Sequence, residues 1–172
     1  MPENRLVTLR SATPHDADGI ARLHTLSWQS AYRHILPVAY LSDEVPMEHA
    51  TRWRNYFDRS EAERGLVLVA VSNGMSIGFV SAERSVDPAR GVLLDCLHVH
   101  PAHHGKGAGK RMIESVRAWA RNIGADRVHL SVLEGNVRAI GFYERNGWRL
   151  AAVETSLIGR AEVSDRIYVI EA

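Results

Sequence analysis

Glycine recurs at every second position in Gly105-Lys106-Gly107-Ala108-Gly109, directly after an apolar, strand-like run and directly before a stretch of helical periodicity. Such a chain must place a strand end, a turn almost free of side chains and a helix N-terminus in immediate succession. Without a Cβ in the way, the turn lets a ligand approach the backbone closely, and unpaired N–H groups at the helix start can converge on an anion. Lys106, Lys110 and Arg111 add positive charge nearby. A pyrophosphate suits this arrangement; the plainer alternative is a loop whose lysines are simply solvated. Two common phosphate motifs are excluded by spacing. Counted from Gly105, the sixth position of a dinucleotide fingerprint is Lys110, and the Walker pattern on Gly109-Lys110 would need glycine where His104 stands.

The flanks predict an α/β (α+β) order of β-α-α-β-β-β-α-β-α-β-β. Residues 5–11 read as a strand. Thr13-Pro14-His15-Asp16 opens a helix that runs to about Tyr32, and Glu44 to Ser60 forms a second. Leu66 to Val71 and Met75 to Glu83 flank Ser72-Asn73-Gly74 as a hairpin, and Gly91 to Val99 is the next strand. Helix Lys110 to Asn122, strand Arg127 to Leu133, short helix Asn136 to Asn146 and a hairpin of Trp148 to Leu157 with Glu162 to Ile170 complete the chain. The unit from Gly91 to Leu133 should be right-handed with parallel strands; adjacent strands elsewhere imply an antiparallel portion.

Length and composition narrow the function classes. With 172 residues, the expectation is a single domain over 1–172. A net charge of +1 provides no field to draw the chain to nucleic acid. No apolar run is long enough to span a bilayer, and Met1 to Arg10 lacks a signal-peptide layout, so a cytoplasmic location without membrane contact is expected. Cys96 is the single cysteine; it cannot form an internal disulfide and reads as a buried thiol. His98, His100, His103 and His104 raise a metal question, but they fall on a strand end and a phosphate-type loop, where a cation-rich rim is the simpler reading, and no metal is expected.

His104-Gly105-Lys106-Gly107-Ala108-Gly109 resembles the acetyl-CoA signature Arg/Gln-x-x-Gly-x-Gly/Ala of the GCN5-related N-acetyltransferase (GNAT) family, with His104 departing from Arg or Gln. Leu97-His98-Val99-His100-Pro101 is similar to the strand end that precedes that loop. About thirty residues on, Asn136, Phe142-Tyr143 and Gly147-Trp148 match the family's Asn, aromatic-Tyr and Gly-aromatic positions. The resemblance spans about Val7 to Ile170. It implies the GNAT fold: a mixed, mostly antiparallel sheet of about seven strands flanked by about four helices. It further implies acetyl-CoA as co-substrate, a strand through Leu97 and Val99 that splays from Leu130 to Leu133 to admit pantetheine, and an oxyanion donor at the Val99 N–H. Gly105, Gly107, Gly109, Lys110 and His104 would meet the pyrophosphate, Asn136 the pantetheine arm, and Tyr143 would protonate the departing thiolate.

The remaining roles are open at this level. Asp95, a charge inside Val92-Leu93-Leu94-Asp95-Cys96-Leu97, is either the general base or a salt-bridged structural residue, and His98 and His100 are rival bases. Trp28 and Tyr32, four apart on one helix, would line the acceptor pocket or simply pack. The expected activity is N-acetylation of a primary amine on a small molecule or peptide by direct attack in a ternary complex. The competing class is a non-catalytic acyl-CoA sensor on the same fold. Edge strands of the C-terminal hairpin could pair two copies into a homodimer.

Overall fold

The computed structural model describes residues 7–172; the first six, which include the start of the strand expected over 5–11 and most of the Met1 to Arg10 span read as lacking a leader, lie outside the described residues. Its strands are β1 (Thr8–Ser11), β2 (Leu66–Ser72), β3 (Met75–Arg84), β4 (Val92–Val99), β5 (Arg127–Leu133), β6 (Arg149–Ile158) and β7 (Ala161–Glu171). The helices are α1 (Ala17–Ala31), α2 (Val45–Asp58), α3 (Ala108–Asn122) and α4 (Val137–Arg145). One seven-stranded sheet results, in the order β1-β2-β3-β4-β5-β7-β6, antiparallel throughout except for the β4–β5 pair. This matches the order, strand number and mixed character that the sequence predicts. A two-residue turn joins β2 to β3, with φ of 52° at Asn73 and 74° at Gly74, as a primed hairpin turn requires.

The sheet is covered on both faces. Met112, Ile113, Val116 and Ala120 of α3 share a cluster with Ile140 and Tyr143 of α4 and with Val80, Val92, Leu94, Val128 and Leu130 of the sheet. Ile20 of α1 and Trp53, Tyr56 and Phe57 of α2 pack with Val69, Phe79 and Cys96 on the opposite face. β4 serves both clusters because it changes face midway. Ala82 pairs with Leu94 but Ser81 pairs with Cys96, so Asp95 is the extra residue of a bulge. Val92 and Leu94 below the bulge, and Leu97 and Val99 above it, all pack on the α3 side, while Cys96 is handed to the α1–α2 side. The one-residue slip therefore resolves the charged interruption in the apolar run: Asp95 stands at the irregularity and is exposed.

Candidate active site

β4 and β5 begin side by side and then part. Their parallel pairing is confined to Val92↔Val128 and Leu93↔His129, although β4 continues to Val99 and β5 to Leu133. Beyond that point the seam opens into a groove of about 920 Å³, lined by the upper halves of both strands, the 103–110 loop, α4 and one face of α1. Backbone geometry turns polar groups into this seam. The His100 N–H donates to the Ile77 carbonyl at 2.7 Å, which sets the phase of the antiparallel β3–β4 ladder. In that phase the peptide groups of Leu97 and Val99, opposite Val80 and Gly78, point away from β3 and into the seam.

The glycine loop closes one end of the groove. Gly105 and Gly107 have φ of 75° and 80°, a region costly for residues with a Cβ, and Gly107 is the N-cap of α3. A Cβ added at either would meet nothing within 4 Å, and both glycines line the groove. Gly109 is required for a different reason: a Cβ there would lie 3.1 Å from Cζ of Phe142, so this glycine lets α3 pack on α4. Orphan N–H groups at the start of α3, no acidic residue in its first turn, and Lys110 on the groove wall together make a site that favours an anion. A diphosphate fits these residues.

His104 is engaged elsewhere. Its Nε2 bonds the Val99 carbonyl at 2.6 Å, which ties the loop to the end of β4, and burial lowers its pKa against the raising effect of that bond. A neutral ring bonded this way donates through Nε2 to the carbonyl and has no second N–H for a phosphate.

Tyr143 and Asn136 sit across the seam. Asn136 caps α4, its side-chain oxygen accepting from the Ala139 N–H at 3.3 Å. Tyr143 is buried against Phe142 and Trp148, with ring centroids at 5.4 and 5.6 Å, and reaches the groove wall. Burial pushes its phenol well above the ordinary value, so it stays protonated across the working range. Burial also pushes Tyr32 up to about 12, opposed by a side-chain bond from Asn136. Trp28 and Tyr32 stand edge to face at 5.1 Å and both line the groove.

The candidate bases separate. Asp95 forms an ion pair with Arg52 of α2 and lines the groove. His98 also lines it, and burial, with His49 and Arg52 nearby, lowers its pKa to about 3, so its ring is neutral. His100 lies just past the end of β4 and does not line the groove beside His98. The chain turns at Pro101, and His100 becomes a cap whose Nδ1 accepts from the Ala102 N–H at 3.1 Å.

The sequence offers no motif for what lies beneath. His24 and His49, from α1 and α2, stack at 3.6 Å with planes 2° apart, and His98 tilts against His24 at 4.9 Å. Burial foremost lowers the pKa of His24, and lowers that of His49 to about 4. Ligand atoms of His24, Cys96 and His98 lie within 4.8 Å of one another, a spacing that invites a metal. The hydrogen bonds oppose one. Trp53 Nε1–H donates to His24 Nδ1 at 3.1 Å, so the imidazole proton sits on Nε2 and points to Cys96 Sγ at 3.9 Å; the lone pair a metal would need there is absent. Burial pushes the Cys96 thiol up to about 12, which keeps it a thiol rather than a thiolate ligand.

Comparison with known proteins gives four findings. Residues 21–148 match the family model described as Acetyltransferase (GNAT) family. An uncharacterised N-acetyltransferase of Mycobacterium tuberculosis, Rv2669, is 33% identical over 108 residues, covering 63% of this chain and 68% of the relative. Aminoglycoside N(6')-acetyltransferase type 1 of Stenotrophomonas maltophilia is 27% identical over 149 residues, 80% of this chain and 86% of its own. Among solved structures, a PaiA N-acetyltransferase from Thermoplasma acidophilum in complex with coenzyme A superposes with a TM-score of 0.80 at 20% identity, covering 97% of this chain and 99% of that one.

Proposed function

The chain belongs to the GNAT acetyltransferase family, and from that premise we propose that it transfers the acetyl group of acetyl-CoA to a primary amine of a small molecule or peptide by direct attack in a ternary complex. The observation that carries this reading is the opened β4–β5 seam, which joins the glycine cradle at one end to Tyr143 and the α1–α2 side chains at the other. The amides around Gly105, Gly107 and Gly109, with Lys110, hold the diphosphate. Pantetheine lies in the seam against the peptide groups of Leu97 and Val99, with Asn136 opposite. The solved PaiA enzyme carries coenzyme A on the same fold.

The amine lone pair attacks the thioester carbonyl carbon, forming the C–N bond, and the carbonyl oxygen takes the negative charge. The Val99 N–H, aimed into the seam, stabilises that oxyanion. Collapse breaks the C–S bond; the sulfur leaves as thiolate and takes the Tyr143 hydroxyl proton. The proton lost by the amine passes to Asp95, directly or through water, with His98 beside it as a neutral groove-lining partner. His104 serves this machinery by holding the loop to β4, not by touching phosphate.

Trp28 and Tyr32 wall the acceptor end. The test is release of free thiol from acetyl-CoA with a panel of amines, wild type against Tyr143→Phe. Amine-dependent release that collapses in the variant is expected. Tight coenzyme binding without acetylation of any amine would refute transfer.

A further inference from the structure

Among the described residues, Arg52 is the cation at the α1–α2 end of the groove. The Arg52 guanidinium lies 5.3 Å from the Trp53 ring centroid, which holds it in place. Its Nη2 makes both of its hydrogen bonds, one to the Asp95 carboxylate and one to Cys96 Sγ at 3.5 Å. Among the described residues, Nε and Nη1 have no hydrogen-bond partner, and the side chain is 42% exposed. A guanidinium is a planar fork of five donors, so one corner is used and the rest stays available to a ligand in the groove.

The surroundings decide what ligand that is. His24, His49 and His98 all have lowered pKa values and are neutral. Asp95 is paired with Arg52, and Asp165 on β7, the other carboxylate lining the groove among the described residues, accepts from the Ser156 hydroxyl. A polycationic acceptor would meet the fixed charge of Arg52 beside Asp95, and its further ammonium groups would have only Asp165 to pair with. A molecule with both an amine and an acid meets a matched pair, its ammonium toward Asp95 and its carboxylate on the open edge of Arg52.

We propose that the acetyl acceptor carries a carboxylate group, and that Arg52 is the residue that binds it. This deepens the N-acetylation reading and rests on it. No covalent step is added. Arg52 selects and orients the acceptor, and its pairing with Asp95 places the amine's proton acceptor beside the amine.

The experiment compares matched acid and amide pairs as acceptors, L-methionine with L-methioninamide and γ-aminobutyrate with its amide, by thiol release from acetyl-CoA. In the wild type the better acid should exceed its amide by about tenfold or more in kcat/KM, the worth of one charge-assisted hydrogen bond. Arg52→Gln should bring the ratio to about one: kcat falls alike for both acceptors as Asp95 loses its anchor, and KM rises for the acid alone, since a lost contact made equally in ground and transition states appears in KM. Arg52→Lys keeps a cation beside Asp95, guards against loss of folding, and should retain a reduced preference. Equal use of acid and amide by the wild type, or an acid preference that survives in Arg52→Gln, overturns the proposal. No turnover with any amine would remove the transferase reading and this inference with it. Turnover of amides or polyamines alone would remove only this inference.

Discussion

The two ends of the groove are built from different materials. The cradle end is backbone: the turned peptide groups of Leu97 and Val99, two glycines at positive φ and the orphan amides of α3. The acceptor end is side chains drawn from three elements, with Trp28 and Tyr32 on α1, Arg52 on α2, and Asp95 and His98 on β4. A backbone site constrains sequence at fixed spacing, because only glycine meets its steric terms. A side-chain site leaves no spacing signature, because its members come together only after folding. The first end should therefore respond to changes in shape and the second to changes in charge.

The comparison breaks most severely at Tyr143, where the two ends meet. Tyr143→Phe removes the proton donor and keeps the ring packing on Phe142 and Trp148. We expect kcat to fall by roughly 10²- to 10⁴-fold, the usual range for a lost general acid, with coenzyme affinity by calorimetry unchanged. The raised pKa of Tyr143 adds a pH signature: the wild-type rate should show no alkaline loss near 10, where an ordinary phenol ionises. A loss there would show that the phenol is not the protected acid described.

Gly107→Ala tests the cradle alone. An added Cβ meets no protein atom, so the fold pays only for holding a non-glycine residue at a φ of 80°, about 1–2 kcal/mol. Coenzyme affinity should fall roughly 100-fold, as one or two charge-assisted bonds to the diphosphate are lost. If affinity and melting temperature fall in proportion, the glycine is structural and the cradle assignment fails.

Charge, not shape, governs the imidazole stack under the acceptor end. His49 and His98 are neutral when folded, with pKa values lowered to about 4 and about 3, whereas the unfolded chain titrates them near 6.5. Between these values the unfolded state binds more protons, so stability is whole above about pH 7 and is lost as pH falls from about 6.5 toward 4. At pH 5 the loss for buried His49 alone is about 2 kcal/mol. Asp16, with its pKa lowered to about 2 by the Arg10 bond, contributes its loss only below about 4, outside this window. Urea midpoints at pH 7.5 and 5.0 measure the slope, and His49→Gln should flatten it. An unchanged slope would mean the stack is hydrated and free to charge.

The same division explains what the sequence reveals. Element order, the β4–β5 unit and the glycine turn follow from periodicity and from residues that act on their own neighbours. Asp95 stands out as a charge in an apolar run, but only the β3 register shows it to be a bulge residue, and only α2 supplies Arg52 as its partner. Arg52 lies in a helix rich in charge, Thr51-Arg52-Trp53-Arg54, where nothing local distinguishes it from Arg54. The His24–His49–His98 stack joins residues 25 and 49 positions apart. His98 and His100, rival bases in the sequence, are separated by the end of β4: His98 lines the groove, and His100 caps the turn that Pro101 begins.

His104 gives the smallest effect and the finest distinction between the two ends. The family signature places a long donor at this position to reach phosphate; here the ring donates to the Val99 carbonyl and closes the loop against β4. His104→Gln can restore a donor at similar reach, whereas His104→Ala removes the tie without adding charge. A single neutral hydrogen bond contributes about 1 kcal/mol, so His104→Ala should weaken coenzyme binding only about fivefold. Because no countercharge is lost, the salt dependence of that affinity should not change. A phosphate contact would behave differently: the affinity would fall further, and its decline with added salt would become shallower. Calorimetry at two ionic strengths therefore decides whether residue 104 acts on the ligand or on the strand that faces it.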